Sequence, residues 1–121
     1  MKRSFGTTPS GEAASLYTIT NGFLTATVTD FGATLVSLLV PDAKGNIADV
    51  VLGCDDAAGY ANGTCFLGCV VGRNANRIGG AAFPLNGKTV QIPANEGSNN
   101  LHSGPDFFHL RLWERPGLAG S

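Results

Sequence analysis

Apolar residues along this chain come in short runs broken by glycine, proline and small polar residues. Nowhere do they recur at i, i+3 and i+4 over the roughly 11 positions that mark an amphipathic helix. The pattern predicts a chain that is mostly β. Leu16 to Thr20 and Phe23 to Thr29 are rich in β-branched residues, with Leu24, Ala26 and Val28 on one face of the second run and Thr25, Thr27 and Thr29 on the other. Asn21-Gly22 between them predicts a two-residue hairpin turn. Ala33 to Val40, after Asp30-Phe31-Gly32, is apolar almost throughout, as expected of a strand covered on both faces. Pro41 and Asp42-Ala43-Lys44-Gly45-Asn46 supply the turn that closes it. Ile47 to Leu52 is the expected return strand.

One short helix is expected from Asp55 to Asn62, capped by Asp55 and ended by Gly63. The adjacent Asp55 and Asp56 suit the positive end of a helix better than a catalytic carboxylate pair. Phe66 to Val71 predicts a strand that leads into Gly72-Arg73-Asn74-Ala75-Asn76-Arg77-Ile78. The sharpest local prediction is a hairpin from Ala81 to Ile92. Asn86-Gly87 suits the two positive-φ positions of a type I′ turn, which pairs Phe83 with Val90 and Ala81 with Ile92. Pro84 then faces Thr89 in a non-hydrogen-bonded pair, where a missing N–H is tolerated on an edge strand. Asn95 to Asn100 reads as a polar loop, Leu101 to Pro105 as a tight irregular segment, and Leu110 to Trp113 as a last strand. Residues 1–14 are small and polar without periodicity, so a loosely ordered arm is expected there.

Length changes the picture by limiting it: 121 residues suit a single domain with one core. Charged residues make up only 14%, against about 25% in an average domain, and the formal charge is −1. That balance gives no attraction to nucleic acid or to an anionic membrane. The longest apolar stretch, Leu35 to Val40 with Ser37 inside it, falls well short of the roughly 18 residues of a membrane span. Cys54, Cys65 and Cys69 cannot all pair within one chain, and the Met-Lys-Arg start leads into polar residues rather than an apolar signal segment. A cytoplasmic protein with reduced, buried and inert thiols is the expectation. On the same ground Asn62-Gly63-Thr64 is not expected to be glycosylated. The Cys65/Cys69 spacing matches neither a redox pair nor a zinc site, and no metal is expected.

Candidate chemistry falls in three clusters: Arg73/Asn74/Asn76/Arg77, Asn99/Asn100/His102, and His109/Arg111. Guanidiniums and carboxamides present fixed forks of donors that bind vicinal hydroxyls, so the first cluster suits a neutral polyol; equally, one arginine can pair with a carboxylate while the asparagines make turns. His102, between an amide-rich loop and Ser103-Gly104-Pro105, can serve as donor or acceptor at neutral pH or simply bond the backbone. His109 is expected on a solvated strand face. Neither a nucleophile elbow nor a complete phosphate loop is present.

Gly72-Arg73-Asn74-Ala75-Asn76-Arg77-Ile78, the Asn86-Gly87 hairpin and Asn99-Asn100-Leu101-His102-Ser103-Gly104, with the upstream Asp30–Leu35 and Asp49–Gly53 segments, resemble the aldose 1-epimerase (galactose mutarotase) family in order and separation. The resemblance runs from Thr18 to Trp113. It implies an all-β antiparallel sandwich of galactose mutarotase type, of which residues 15–121 are the N-terminal portion, and an isomerase that interconverts the α and β anomers of hexoses such as galactose and glucose without a cofactor. By the same resemblance Asn76 and Arg77 hold sugar hydroxyls, and His102 is the first of two active-site histidines, a catalytic group in contact with the substrate. Mutarotation removes a proton from the anomeric hydroxyl and delivers one to the ring oxygen, so an acid and a base must flank the sugar.

In the family the principal donor and acceptor are a later histidine and a glutamate. His109 lies too close to His102 to be that donor, within Asp106-Phe107-Phe108-His109, a variant of a Gly-Phe-Asp-Lys-like stretch; Ser103 stands where glycine is common. The chain is therefore expected to be about the first third of such an enzyme. Cut through its strand order, a sandwich is expected to fold poorly, in part, or with self-association through unpaired edges. Two other readings are a non-catalytic carbohydrate-binding remnant and a hexose-6-phosphate 1-epimerase with Arg73 as the phosphate ligand.

Overall fold

The computed structural model describes residues 1–114. Strands predominate, all antiparallel, with one short helix. The described residues fall into two compact units, one comprising residues 1–70 and 109–114, the other residues 71–108.

The first unit is built on a five-stranded meander of β1 (Lys2–Thr7), β2 (Ala13–Thr20), β3 (Thr25–Thr29), β4 (Thr34–Pro41) and β5 (Ile47–Asp49), in that spatial order. Residues 1–14, where the composition suggests a loose arm, contain β1 paired to β2, and Phe5 is buried in the core. One large apolar residue in a polar segment is too sparse for a periodicity yet enough to anchor an edge strand. β2 and β3 pair from Leu16–Thr29 to Thr20–Thr25, so their loop spans residues 21–24 rather than two. The Asn21 side chain sets that length, its Oδ1 accepting from the N–H groups of Phe23 at 2.9 Å and Leu24 at 2.7 Å. Between β3 and β4 the register shifts after Thr27, a bulge that leaves Val36 without a partner and packed against the core.

β4 is half-exposed along most of its length rather than covered on both faces; only Thr34 is fully buried. The expected turn closes it, with Asp42 Oδ1 accepting from the Lys44 and Asn46 N–H groups. β5 stops at Asp49, whose Oδ1 accepts from the Val51 N–H at 3.0 Å. Helix α1 (Ala57–Asn62) is capped by Asp56 rather than Asp55, and Gly63 follows it in an extended conformation. Ala57 and Tyr60 of this helix join Phe5, Ala14, Leu16 and Phe31 in the core. Burial of each of the larger side chains contributes roughly 2–3 kcal/mol.

The expected strands at Phe66–Val71 and Leu110–Trp113 do not form. Gly68, at φ +60, turns the first against Leu35, whose N–H donates to the Gly68 carbonyl at 2.9 Å. The second is a 3-10 turn at Phe108–Leu110 followed by a single bridge from Leu112 to Phe31. Gly32 (φ +71) explains the meeting of these segments: its N–H donates to Arg111 and its carbonyl accepts from Val70, while a Cβ there would lie 2.9 Å from His109 Cα. His109, expected on a solvated face, sits edge-on to Phe66 with centroids 4.6 Å apart. Cys65 is exposed, whereas Cys54 and Cys69 are half-buried, and all three are free thiols; burial pushes the Cys69 thiol up.

In the second unit β7 (Ala82–Leu85) and β8 (Lys88–Gln91) form the expected hairpin, with Phe83 opposite Val90, Pro84 opposite Thr89, and Asn86 and Gly87 at φ +50 and +73. The Ile92 N–H donates to Ala81, extending the register as anticipated. β6 (Arg77–Ile78) pairs with β9 (Asn100–Leu101). No helix among the described residues is long and apolar enough to cross a membrane.

Candidate functional site

The β6–β9 pair is very short, so side chains secure it. Asn100, 2% exposed, donates from Nδ2 to the carbonyls of Pro93 at 2.8 Å and Gly104 at 2.9 Å. The Asn95 side chain mimics a strand edge for Leu101, its Oδ1 accepting at 2.7 Å and its Nδ2 donating at 2.9 Å. Asn99 Oδ1 accepts from the Gly80 N–H. Of the expected amide cluster, then, Asn99 and Asn100 build the loop, while His102 lies immediately beyond β9.

This pairing brings Asn76, Arg77 and His102 together from positions 25 and 26 residues apart. The Asn76 N–H donates to His102 Nδ1 at 2.9 Å, and the His102 N–H donates to the Asn76 carbonyl at 2.9 Å. The next residues repeat the reciprocity: Ser103 Oγ accepts from the Asn74 N–H at 2.8 Å and donates to the Asn74 carbonyl at 3.2 Å. Asn76, His102 and Ser103 all have left-handed backbones, at φ +63, +53 and +59. For non-glycine residues that conformation costs roughly 1 kcal/mol each, and such residues gather where a side chain must be aimed. Accepting at Nδ1 places the proton of neutral His102 on Nε2, which makes Nε2–H a hydrogen-bond donor.

Arg77 is held from both sides. Its Nε donates to Glu96 Oε2 at 2.6 Å, its Nη2 to Glu96 Oε1, and its Nη1 to Asn76 Oδ1 at 3.2 Å. The Arg77 guanidinium keeps the Glu96 carboxyl below its ordinary range, with a smaller contribution from nearby His102, and the carboxylate in turn raises Arg77. Both side chains stay accessible, at 52% and 37% exposure. Arg73 extends over the Phe108 ring, 5.9 Å from its centroid. The pairing of one arginine with a carboxylate, expected from the sequence as the alternative to sugar binding, is therefore present, and it coexists with the convergence of the three candidates.

Glu96 stands outside the residues picked out by spacing and resemblance. Its signal was scarcity: in a chain with 14% charged residues, an arginine among amides calls for a carboxylate, and Glu96 is the acid of the following loop. His109 and Arg111, the third cluster, belong to the first unit. Among the described residues no group of three or more histidine, cysteine or acidic side chains could hold a metal ion. A hollow of about 870 Å³ lies in the first unit over Tyr17, Ile19 and Val28, and its lining includes none of Asn76, Arg77 and His102.

Comparison with known proteins identifies the family. Residues 15–117 match the family described as Aldose 1-epimerase. The chain is 36% identical over 107 residues to the aldose 1-epimerase of Escherichia coli K12, covering 88% of this chain and 31% of that protein. It is 34% identical over 110 residues to the galactose mutarotase of Homo sapiens, covering 90% and 32%. The GalM/aldose epimerase homologue from C. elegans superimposes with a TM-score of 0.79 at 37% identity, over 88% of this chain and 33% of that one. A galactose 1-epimerase from Lactobacillus acidophilus NCFM shares the fold, with a TM-score of 0.77 at 23% identity over 98% of this chain and 35% of the other. The chain thus spans about a third of the length of these relatives. A match over most of its residues, together with an antiparallel architecture that overlays on a solved homologue, establishes that the chain belongs to the aldose 1-epimerase family.

Proposed function

We propose that this chain supplies the sugar-holding part of an aldose 1-epimerase site, acting on free hexoses such as galactose and glucose. The observation that carries the reading is the 2.9 Å hydrogen bond from the Asn76 N–H to His102 Nδ1. It fixes the imidazole plane and tautomer, turning Nε2–H into an oriented donor for a sugar oxygen. Arg77, already bonded to Asn76, offers its remaining N–H groups to neighbouring hydroxyls, and a bifurcated set of donors suits vicinal oxygens. A pyranose held in this way keeps its ring oxygen and anomeric hydroxyl in fixed positions, which is what proton transfer to one and from the other requires. The resemblance assigns the principal donor and acceptor to a later histidine and a glutamate, so the role proposed for His102 in these 121 residues is to orient the sugar and polarise one of its oxygens.

The reading is tested by titrating the 121-residue chain with D-galactose, followed by NMR of its backbone amides. Saturable shifts centred on residues 74–77 and 101–103, weakened about tenfold or more in His102→Ala and in Arg77→Ala, support it. Binding of galactose that is indifferent to both substitutions overturns it. Polarimetry on fresh α-D-galactose with the same proteins then reports whether any acceleration over buffer depends on His102.

A further inference from the structure

We propose that Glu96 sets the charge preference of this site, making it select neutral sugars over anionic ones such as uronates. The inference rests on the sugar-holding reading above and assigns a role to a residue outside the Asn76, Arg77 and His102 set. Its basis is how Glu96 engages Arg77. The side-on edge of a guanidinium, Nε with one Nη, matches a carboxylate and is the natural seat for an acidic ligand. In this chain Glu96 occupies that edge through both of its oxygens. Of the five N–H groups of Arg77, two go to Glu96 and one to Asn76 Oδ1. Two remain, enough for hydroxyls but without the fork that binds an acid best.

Charge acts in the same direction. Glu96 cancels the positive charge of Arg77, so only Arg73, which packs its guanidinium over Phe108, is left in the cluster to attract an anion. The loop also holds Glu96 in place: its N–H donates to the Asn99 carbonyl at 3.1 Å and its carbonyl accepts from the Asn99 N–H at 2.9 Å, a turn completed by Gly97 at φ +57. An incoming carboxylate would have to displace this fixed internal one, or approach beside it and be repelled.

The experiment measures the affinities of the 121-residue chain and of Glu96→Gln for D-galactose and for D-galacturonate at neutral pH, in low and in moderate salt. The wild-type chain is expected to prefer galactose. In Glu96→Gln the preference should move toward galacturonate by about fivefold, the effect of one unit charge at close range near a solvated surface, and added salt should shrink that shift. Salt-sensitive discrimination is not what simple loosening of the loop would produce. Galactose binding in both proteins with an unchanged ratio overturns the role of Glu96 while leaving the sugar-holding reading intact. A wild-type preference for galacturonate overturns it without any variant. Failure of the wild-type chain to bind either sugar overturns the sugar-holding reading and this inference together.

Discussion

Asn100 shows how much a single amide can decide. It is 2% exposed and its Nδ2 satisfies two backbone carbonyls, Pro93 and Gly104, on either side of β9. Asn100→Ala leaves the buried Gly104 carbonyl without this partner, removes the bond to Pro93 and opens a small void, so a loss of about 2 kcal/mol is expected, read as a lower urea midpoint. Glu96 makes a different prediction. Its folded pKa lies below the ordinary value of 4.5 because Arg77 bonds the ionised form. The stabilisation it gives the loop is therefore fully present above that value and is lost as pH falls through the lower folded one. The Arg77 Nε–H signal in an NMR pH titration should stay fixed through mild acid and shift only below pH 4.5; a shift complete above that value would contradict the ion pair. The family-like motif around Asn76, Arg77 and His102 singled them out as candidates, and the β6–β9 pairing brings them together. Glu96 was not legible, because the chain must fold back across 19 residues to create its partnership with Arg77.

Elements were legible where local backbone chemistry decides them. The β7–β8 hairpin follows from Asn86-Gly87 alone, since a type I′ turn demands two positive-φ residues and fixes the register of whatever flanks it. Leu110 to Trp113 alternates as a strand should, yet among the described residues finds one bridge partner, at Phe31; alternation reports a surface, and pairing is a tertiary event. Phe66 to Val71 failed for a related reason, because Gly68 provides a turn that its apolar neighbours conceal. The helix was placed correctly, with its cap one residue later than expected. Asp56 Oδ1 accepts from the Gly59 N–H at 2.8 Å, and the helix it starts carries buried Ala57 and Tyr60. Asp56→Ala is expected to cost about 1 kcal/mol in chemical denaturation, whereas Asp55→Ala should stay within about 0.5 kcal/mol of the parent.

On the scale of the whole chain the governing fact is that it spans about a third of the length of its relatives. Among the described residues β1 and β5 each pair on one side only, and Ile19, Phe23, Ile47 and Leu52 are 61%, 71%, 68% and 79% exposed. Unpaired edges beside exposed apolar side chains favour association. Sedimentation velocity is expected to show a weight-average mass that rises with concentration and falls back toward the monomer in an Ile47→Lys/Leu52→Lys variant. A constant monomer mass across the range would contradict that expectation.

The claim on which the account depends is that a short two-strand pairing aims His102 at a sugar, with its ring set by the backbone of Asn76. Nitrogen-15 NMR of the histidine ring at mildly alkaline pH, with and without D-galactose, tests it most directly. The account predicts an unprotonated Nδ1 and a protonated Nε2 in the free chain, with a saturable change at His102 Nε2 on adding galactose and none at His109. A proton on Nδ1, or galactose binding that leaves the His102 ring unmoved, would contradict it.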